Sequence, residues 1–205
     1  MPKEKVPFEG LKDFLPDGSF ELVMPLIHQH KVHLTITRER QTKLGDYRNA
    51  HAGKNHRISV NGNLNKFSFL ITLLHELAHL LAFEKYGNRI PPHGKEWKTV
   101  YGQVLHSFLQ HHIFPNDVAA ELAATLHNPG ASTCSEEGLQ RILLRYDPKK
   151  AGVKLIEQLP LGKLFKITDG RIFRKGERLR KRYKCTETAT GKHYLFSAIY
   201  EVTEV

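Results

Sequence analysis

The chain has 205 residues, enough for one domain of ordinary size and a small appendage. Its hydrophobic content of 40% and charged content of 25% are typical of a soluble globular protein, and we predict that no apolar run reaches the length needed to span a membrane. The charged N-terminus lacks the apolar core of a secretory signal, so we expect a cytoplasmic protein without a membrane partner. The net charge of +10 favours a polyanionic partner, with nucleic acid as the first candidate.

The first sixty residues are predicted to contain two helical stretches and then a small sheet. Residues 8–30 have helical apolar spacing, interrupted by the breaker at 16–18. Strands are predicted at 32–37, 44–48 and 56–60, where the chain alternates or carries β-branched residues. We expect a short antiparallel sheet, whose edge strand can pair with an extended peptide.

The next segment carries the strongest chemical signal in the chain. An apolar helix that continues to Tyr86 is predicted, and it contains His75 and His79 four residues apart. That spacing places both imidazoles one turn apart on one face, where they can bind one metal ion. Glu76 can reach a water on that metal. The alternative is a buried helix with two satisfied histidines, but it leaves Glu76 as a costly unpaired carboxylate.

A third ligand is predicted in the turn after this helix. The helix should end at Gly87, and Pro91-Pro92 then enforces an extended approach to His93 at the start of the next helix. Zinc needs three protein ligands and no Cys-x-x-Cys pair is present, so we prefer His93 as a ligand over an exposed loop histidine. Other candidates remain open: Glu121 as a glutamate ligand, and, with packing or surface roles preferred, His106, His111, His112 and His127.

The C-terminal quarter is predicted to be a small basic antiparallel β module. Strands are expected at 164–168, 171–175, 179–186 and 194–202, and Asp169-Gly170 is a strong hairpin signal. Cations interleaved with Phe173 and Tyr183 suit a phosphate backbone and stacked bases. The alternative is a solvated strand face whose aromatics point into the core. The candidate nucleic-acid-binding residues are Arg171, Arg174, Lys175, Arg178, Arg180, Lys181, Arg182 and Lys184.

The motifs in their order resemble the SprT-like zinc metalloprotease family, to which the DNA–protein-crosslink protease Spartan belongs. The matching positions are Leu44-Gly45-x-x-Arg48, Ile58-x-Val60-Asn61 with Leu64, His75-Glu76-Leu77-Ala78-His79 and His93-Gly94-x-x-Trp97, within about residues 20 to 110. The resemblance implies a zincin-like fold, with His75, His79 and His93 as ligands of one catalytic Zn²⁺ and Glu76 as the catalytic carboxylate. Bacterial members commonly end in a cysteine-built zinc ribbon. Only Cys185 remains in this C-terminal part, so any ribbon here is expected to be metal-free.

We therefore predict an α+β protein with three parts: a SprT-like zincin domain at 1–128, a helical connector at 129–150 and the β module at 151–205. The predicted function is zinc-dependent endopeptidase activity on proteins or peptides, with Glu76 activating a zinc-bound water and DNA-bound proteins as candidate substrates. Single-stranded or damaged DNA is the other expected partner. Two alternatives remain: a nucleic-acid-binding protein with a structural zinc ion, and a metallohydrolase acting on something other than peptide. Tyr86, Tyr101 and Arg48 are candidate oxyanion donors.

Overall fold

The computed structural model describes residues 8–130 and 136–205. It has a mixed α+β architecture and divides into two compact units, Met1–Asp147 and Pro148–Val205. Cys134 lies outside the described residues, and Cys185 is buried with a free thiol.

The first unit begins with a 3-10 helix at Phe8–Phe14 and helix α1 at Phe20–Gln29. Three strands follow: β1 at His33–Thr37, β2 at Gly45–Arg48 and β3 at Arg57–Asn61. Their order is β1-β3-β2, with β3 antiparallel to β2 but parallel to β1.

The expectation of an antiparallel sheet is therefore wrong for the β1–β3 pair. Strand β3 takes the central position because Ile58 and Val60, two residues apart, both enter the core. The long connection between β1 and β3 gives the chain room to return in the same direction. As a result β2 is an edge strand with one unpaired side among the described residues.

Helix α2, Lys66–Tyr86, crosses the centre of this unit. The Asn65 side chain caps its start by accepting a hydrogen bond from Ser68 N at 2.9 Å, and the chain turns away at Gly87, which has φ +66°. By length and composition alone, the stretch Lys66–Arg89 could cross a membrane, which corrects the expectation that no run is long enough. However, 72% of its most apolar window is buried inside the fold, as in a core helix.

Three further helices pack on the same core: α3 at Lys95–Leu109, α4 at Asn116–Thr125 and α5 at Glu137–Leu143. Helix α5 lies in the segment expected to be a connector, yet it belongs to the first unit. Its Leu139 and Leu143 side chains are both buried in the core of that unit. Helix α5 therefore packs with the first unit.

The second unit consists of seven strands around a small aromatic core. The strands are β4 Val153–Leu155, β5 Leu164–Lys166, β6 Ile172–Arg174, β7 Arg178–Leu179, β8 Arg182–Glu187, β9 His193–Ser197 and β10 Glu201–Glu204, with a 3-10 helix at Ile156–Gln158. They pair in the order β4-β10-β5-β6-β8-β7, and β9 pairs with β8. Phe165, Phe173 and Phe196 pack together at centroid distances of 5.0–5.7 Å.

The hairpin predicted at Asp169-Gly170 is present between β5 and β6. Two of the predicted strands are interrupted. Residues 179–186 contain the β7–β8 hairpin, in which Arg180 has φ +52°, and residues 194–202 contain β9 and β10. Sequence alternation located the extended segments, but it gave no signal for a tight turn without glycine.

Candidate metal centre

Three imidazoles from two adjacent segments converge on one point. His75 and His79 lie on one face of α2, and their Nε2 atoms are 3.3 Å apart. His93 precedes α3, and its Nε2 atom lies 3.2 Å from that of His75 and 2.9 Å from that of His79. Among the described residues, these three form the one group of potential ligands close enough to share an ion.

The arrangement fits a zinc ion. A tetrahedral ion about 2.0–2.1 Å from each nitrogen requires nitrogens about 3.3 Å apart, close to the observed separations. Metal binding also requires neutral imidazoles. Burial, reinforced by the other two rings, lowers the pKa of His75 to about 3. Burial and the charge of His93 lower the pKa of His79 to about 4, and burial and Lys98 lower the pKa of His93.

His93 reaches the centre through a strained turn. Gly94 N donates to Pro91 O at 3.0 Å, Pro92 occupies the second position of this turn, and His93 at the third has φ +59°. Proline at the second position and a positive φ at the third are typical of a type II turn. For a residue with a Cβ atom, this left-handed backbone conformation costs about 1–2 kcal/mol. Backbone strain of this size is common at functional sites, where the surrounding structure maintains it.

Trp97 holds the three rings from one side. It is only 1% exposed, and its ring centroid lies 4.7, 5.0 and 4.6 Å from those of His75, His79 and His93. The Nδ1 atom of His75 and Nε1 atom of Trp97 are buried without a hydrogen-bond partner among the described groups. The ligand geometry around His75 is therefore maintained by aromatic packing rather than by an acceptor on its second nitrogen.

Glu76 lies beside the histidines in an apolar environment. It is 5% exposed, and burial raises the pKa of its carboxyl to about 8. The charge of Asp46 adds to this rise in pKa, whereas Arg40 and Lys43 oppose it. A carboxyl group whose pKa lies near neutrality is suited to accept and return a proton.

Gly45 of β2 packs directly against this carboxylate. A Cβ atom at position 45 would overlap Glu76 Oε1 and lie 2.8 Å from both Glu76 Cγ and Thr72 Cγ2. Only glycine therefore permits this approach of strand to helix. The close contact fixes the spacing between the carboxylate and β2.

The centre opens into a cleft of about 720 Å³. Residues 41–47, which include most of β2, contribute much of its lining, together with His75, Glu76, His79, Pro92, His93 and Gln140. The loop at 41–44 is held by Asn61, whose Nδ2 donates to Arg40 O and Lys43 O at 3.1 Å, and by Arg40, whose Nη2 donates to Leu44 O at 3.3 Å. Side chains thus fix a segment that forms no regular strand.

The alternative ligands lie elsewhere. The Glu121 carboxylate sits against Gly138, between α4 and α5, and His106 and His127 are exposed. His111 and His112 line a separate cavity beside Phe67. The three candidate oxyanion donors are also absent from the described lining of the cleft, where Tyr47 is the tyrosine present.

The candidate nucleic-acid-binding residues of the second unit do not all lie on the surface. Lys175 is 5% exposed, and its Nζ donates to Leu159 O at 2.5 Å and lies 4.2 Å from the Tyr183 ring centroid. Phe173 is fully buried, so it cannot stack on a base. The inclusion of Lys175 and Phe173 in an exposed binding face is therefore wrong. The other seven cations are exposed: Arg171, Arg174, Arg178, Arg180, Lys181, Arg182 and Lys184.

Sequence reasoning missed the roles of Gly45, Trp97 and Gln140. Gly45 gave a usable signal, because a glycine inside a strand pattern often marks a close approach of backbone. Trp97, four residues after His93 at a helix start, could also have been placed near the centre. Gln140 gave no signal, because its position depends on how α5 packs.

A profile of the SprT-like family matches residues 11–119, more than half of the chain. The chain belongs to the SprT-like family. The matched region contains β1 to β3, α2, α3 and all three converging histidines, which confirms the resemblance seen in the motifs. Residues 120–205, including α5 and the second unit, lie outside the SprT-like match.

Several SprT proteins are similar to this chain over short segments. The identity to Protein SprT of Cronobacter sakazakii is 61% over 31 residues, which is 15% of this chain and 18% of that protein. The identity to Protein SprT of Yersinia pseudotuberculosis is 50% over 42 residues, 20% of this chain and 24% of that protein. The matches thus span about a fifth of these relatives' length. No solved structure matches the chain.

Proposed function

We propose that this protein is a cytoplasmic zinc-dependent endopeptidase in which His75, His79 and His93 hold one Zn²⁺ and Glu76 is the catalytic carboxylate. The convergence of three Nε2 atoms within 3.3 Å beside a buried glutamate carries the proposal. Membership of the SprT-like family supports a metalloprotease-type function.

The chemistry of the donor set supports a catalytic rather than a structural ion. Structural zinc sites are closed by four protein ligands, whereas catalytic sites keep one position open. Among the described residues, no fourth His, Cys, Asp or Glu joins the three histidines. When bound, zinc lowers the pKa of a water and polarises a carbonyl. Glu76 accepts the proton of the attacking water and returns it to the leaving amine.

The shape of the cleft favours a peptide over a smaller substrate. Strand β2 is an edge strand, and its residues 45–47 line the cleft next to the metal centre. An extended peptide can add to such an edge through main-chain hydrogen bonds. A metallohydrolase that acts on a small molecule needs no unpaired strand edge beside its metal. This edge therefore favours a peptidase over such an enzyme.

The test is the substitution Glu76→Gln, with Glu121→Gln as a matched control. We expect Glu76→Gln to retain one zinc per chain by metal analysis but to lose casein cleavage, because an amide cannot accept the proton. Glu121→Gln should retain both zinc and cleavage. Undiminished cleavage by Glu76→Gln would exclude the proposed mechanism.

A second activity, binding of single-stranded DNA by residues 148–205, is supported by charge. This unit contains 14 basic and 6 acidic residues, a net charge of +8 out of +10 for the chain. The exposed cations 178, 180, 181, 182 and 184 are concentrated on β7, β8 and the turn between them. Lys and Arg side chains on phosphates release counterions and give salt-dependent affinity. If DNA-bound proteins are the substrates, single-stranded DNA should also stimulate casein cleavage or self-cleavage.

This activity is tested by titrating labelled single-stranded DNA at several salt concentrations. Removing three exposed cations of the hairpin should weaken binding and lower the salt slope by about 0.7 per lost contact. Removing three exposed lysines of the first unit changes net charge equally and should have little effect. Equal losses in both variants would exclude a localised DNA site. The hairpin variant is Arg180→Gln, Lys181→Gln, Arg182→Gln, and the control is Lys31→Gln, Lys54→Gln, Lys85→Gln.

A further inference from the structure

Gln140 enters the cleft from outside the family-matched region. The SprT-like profile ends at residue 119, and among the described residues Gln140 is the single cleft-lining position after His93. It belongs to α5, which the sequence predicted as part of a connector. The cleft of this chain thus contains a contribution that the SprT-like match does not include.

The position of α5 is fixed by both apolar and polar contacts. Leu139 and Leu143 are 4% exposed each and anchor one face of the helix in the core. The Asn65 side chain, which caps α2, also donates to Leu143 O at 3.1 Å and to Asp147 Oδ1 at 2.7 Å. Successive helix residues are about 100° apart, so Gln140 lies at the border of the buried face.

Just beyond the helix, Tyr146 supplies one more anchor. Its hydroxyl donates to Asp117 Oδ1 at 2.8 Å, and its ring packs edge-on against Phe67 with centroids 4.8 Å apart. Asp117 belongs to α4 and Phe67 to α2. Helix α5 is therefore held against two other helices, and Gln140 is presented to the cleft from a fixed element.

The side-chain amide of Gln140 is uncommitted within the described part of the chain. Its backbone groups are used, since Gln140 N donates to Glu136 O at 2.9 Å and Gln140 O accepts from Leu144 N at 3.0 Å. Its side chain, in contrast, makes no hydrogen bond to another described residue. A primary amide offers two donors and an acceptor, which matches the N–H and C=O groups of a peptide unit.

We infer that Gln140 is a substrate-contacting residue, whose amide bonds the main chain of an extended peptide bound along β2. This inference rests on the proposed peptidase function and names a second contact for its substrate. Because the contact is to main chain, it contributes affinity without selecting a side chain. An interaction present in both the bound substrate and the transition state raises KM when removed and leaves kcat unchanged.

The experiment compares Gln140→Ala with Gln103→Ala in the zinc-loaded full chain, using fluorescein-labelled casein. Gln103 is an exposed glutamine on α3, away from the cleft lining. We expect Gln140→Ala to raise KM by about 3- to 10-fold, the loss of one hydrogen bond, with kcat, zinc content and Tm unchanged. Gln103→Ala should match the wild type. An unchanged KM for Gln140→Ala would overturn the inference.

A charge-changing variant separates a substrate contact from a packing effect. Gln140→Glu keeps an acceptor, loses the donors and adds a negative charge beside the substrate. Mass spectrometry of the casein fragments should show cleavage shifted toward sites next to Lys or Arg. A fragment pattern identical to the wild type would contradict direct contact.

Binding without cleavage distinguishes this inference from the proposed function. Fluorescence anisotropy of labelled casein is measured on Glu76→Gln and on Glu76→Gln/Gln140→Ala. Weaker binding by the double variant supports the contact even if the wild-type chain cleaves no casein, in which case only the proposed activity fails. Equal binding by the two variants, or binding by neither, overturns the inference while leaving the cleavage assay to decide the activity.

Discussion

The two units of the protein use ionisable residues in opposite ways. The first has 17 basic and 15 acidic residues, nearly balanced, yet it buries Glu76 and His75 close together. The second has an excess of eight positive charges, most of them exposed. Burial and convergence shift pKa values and create chemistry, whereas exposed charges act at longer range on a polyanion. Net charge alone would have directed attention away from the unit that contains the candidate metal centre.

The largest effect that would test this comparison is expected at His93. Both His93→Ala and His93→Gly remove a proposed zinc ligand, so zinc affinity should fall by at least about 100-fold and casein cleavage should be lost with it. The metal-free variants should differ from each other. Glycine tolerates φ +59°, so His93→Gly should be about 1 kcal/mol more stable than His93→Ala in urea with a chelator.

Two results would break this expectation. Retention of zinc by both His93 variants would mean that two imidazoles suffice, and the assignment of His93 as a zinc ligand would fail. Equal unfolding midpoints for the alanine and glycine variants would show that the left-handed turn relaxes once the imidazole is gone.

The next effect tests how strictly the first unit fixes its carboxylate. Gly45→Ala places a Cβ atom against Glu76, so we expect kcat for casein to fall by about 100-fold with zinc content unchanged. Adding Thr72→Ser removes the other close contact but leaves the one with Glu76, so activity should stay low. Recovery in the double variant would instead place the important contact at Thr72.

The smallest effect is expected in the second unit, where one buried lysine is compared with an exposed one. Lys175→Met leaves the buried carbonyl of Leu159 without its donor and should lower the free energy of unfolding by about 1–3 kcal/mol. Lys184→Met, at an exposed position, should change it by less than about 0.5 kcal/mol. For binding of single-stranded DNA we expect the opposite ranking of the two variants. Only Lys184→Met should reduce the dependence of DNA affinity on salt concentration. A stable Lys175→Met variant would contradict the structural role of this lysine.

Local sequence patterns predicted those parts of the site that depend on local geometry. The spacing of His75 and His79 follows from helix periodicity, and the position of His93 follows from the two prolines before it. The end of α2 was predicted at Gly87 because C-cap chemistry is local, and the Asn65 cap at its start depends on equally local chemistry. These features need no knowledge of distant contacts.

Features that depend on tertiary packing could not be predicted. The parallel pairing of β1 with β3 depends on which strand the core makes central, and Gln140 reaches the cleft because α5 docks against α2 and α4. The burial of Lys175 within a run of cations depends on two backbone carbonyls from residues 157 and 159. A sequence shows the charges in such a run, but it does not show which of them faces the solvent.

The shared use of one amide, Asn65, has a consequence for local unfolding. The same side chain closes the first turn of the helix that carries His75 and His79 and fastens the segment that carries Gln140. Fraying of that first turn therefore also loosens one border of the cleft, at a point about 15 Å along the helix from His75. Hydrogen exchange at the start of α2 and along α5 should rise together when Asn65 is replaced. The affinity for the proposed peptide substrate should then fall more than the affinity for zinc.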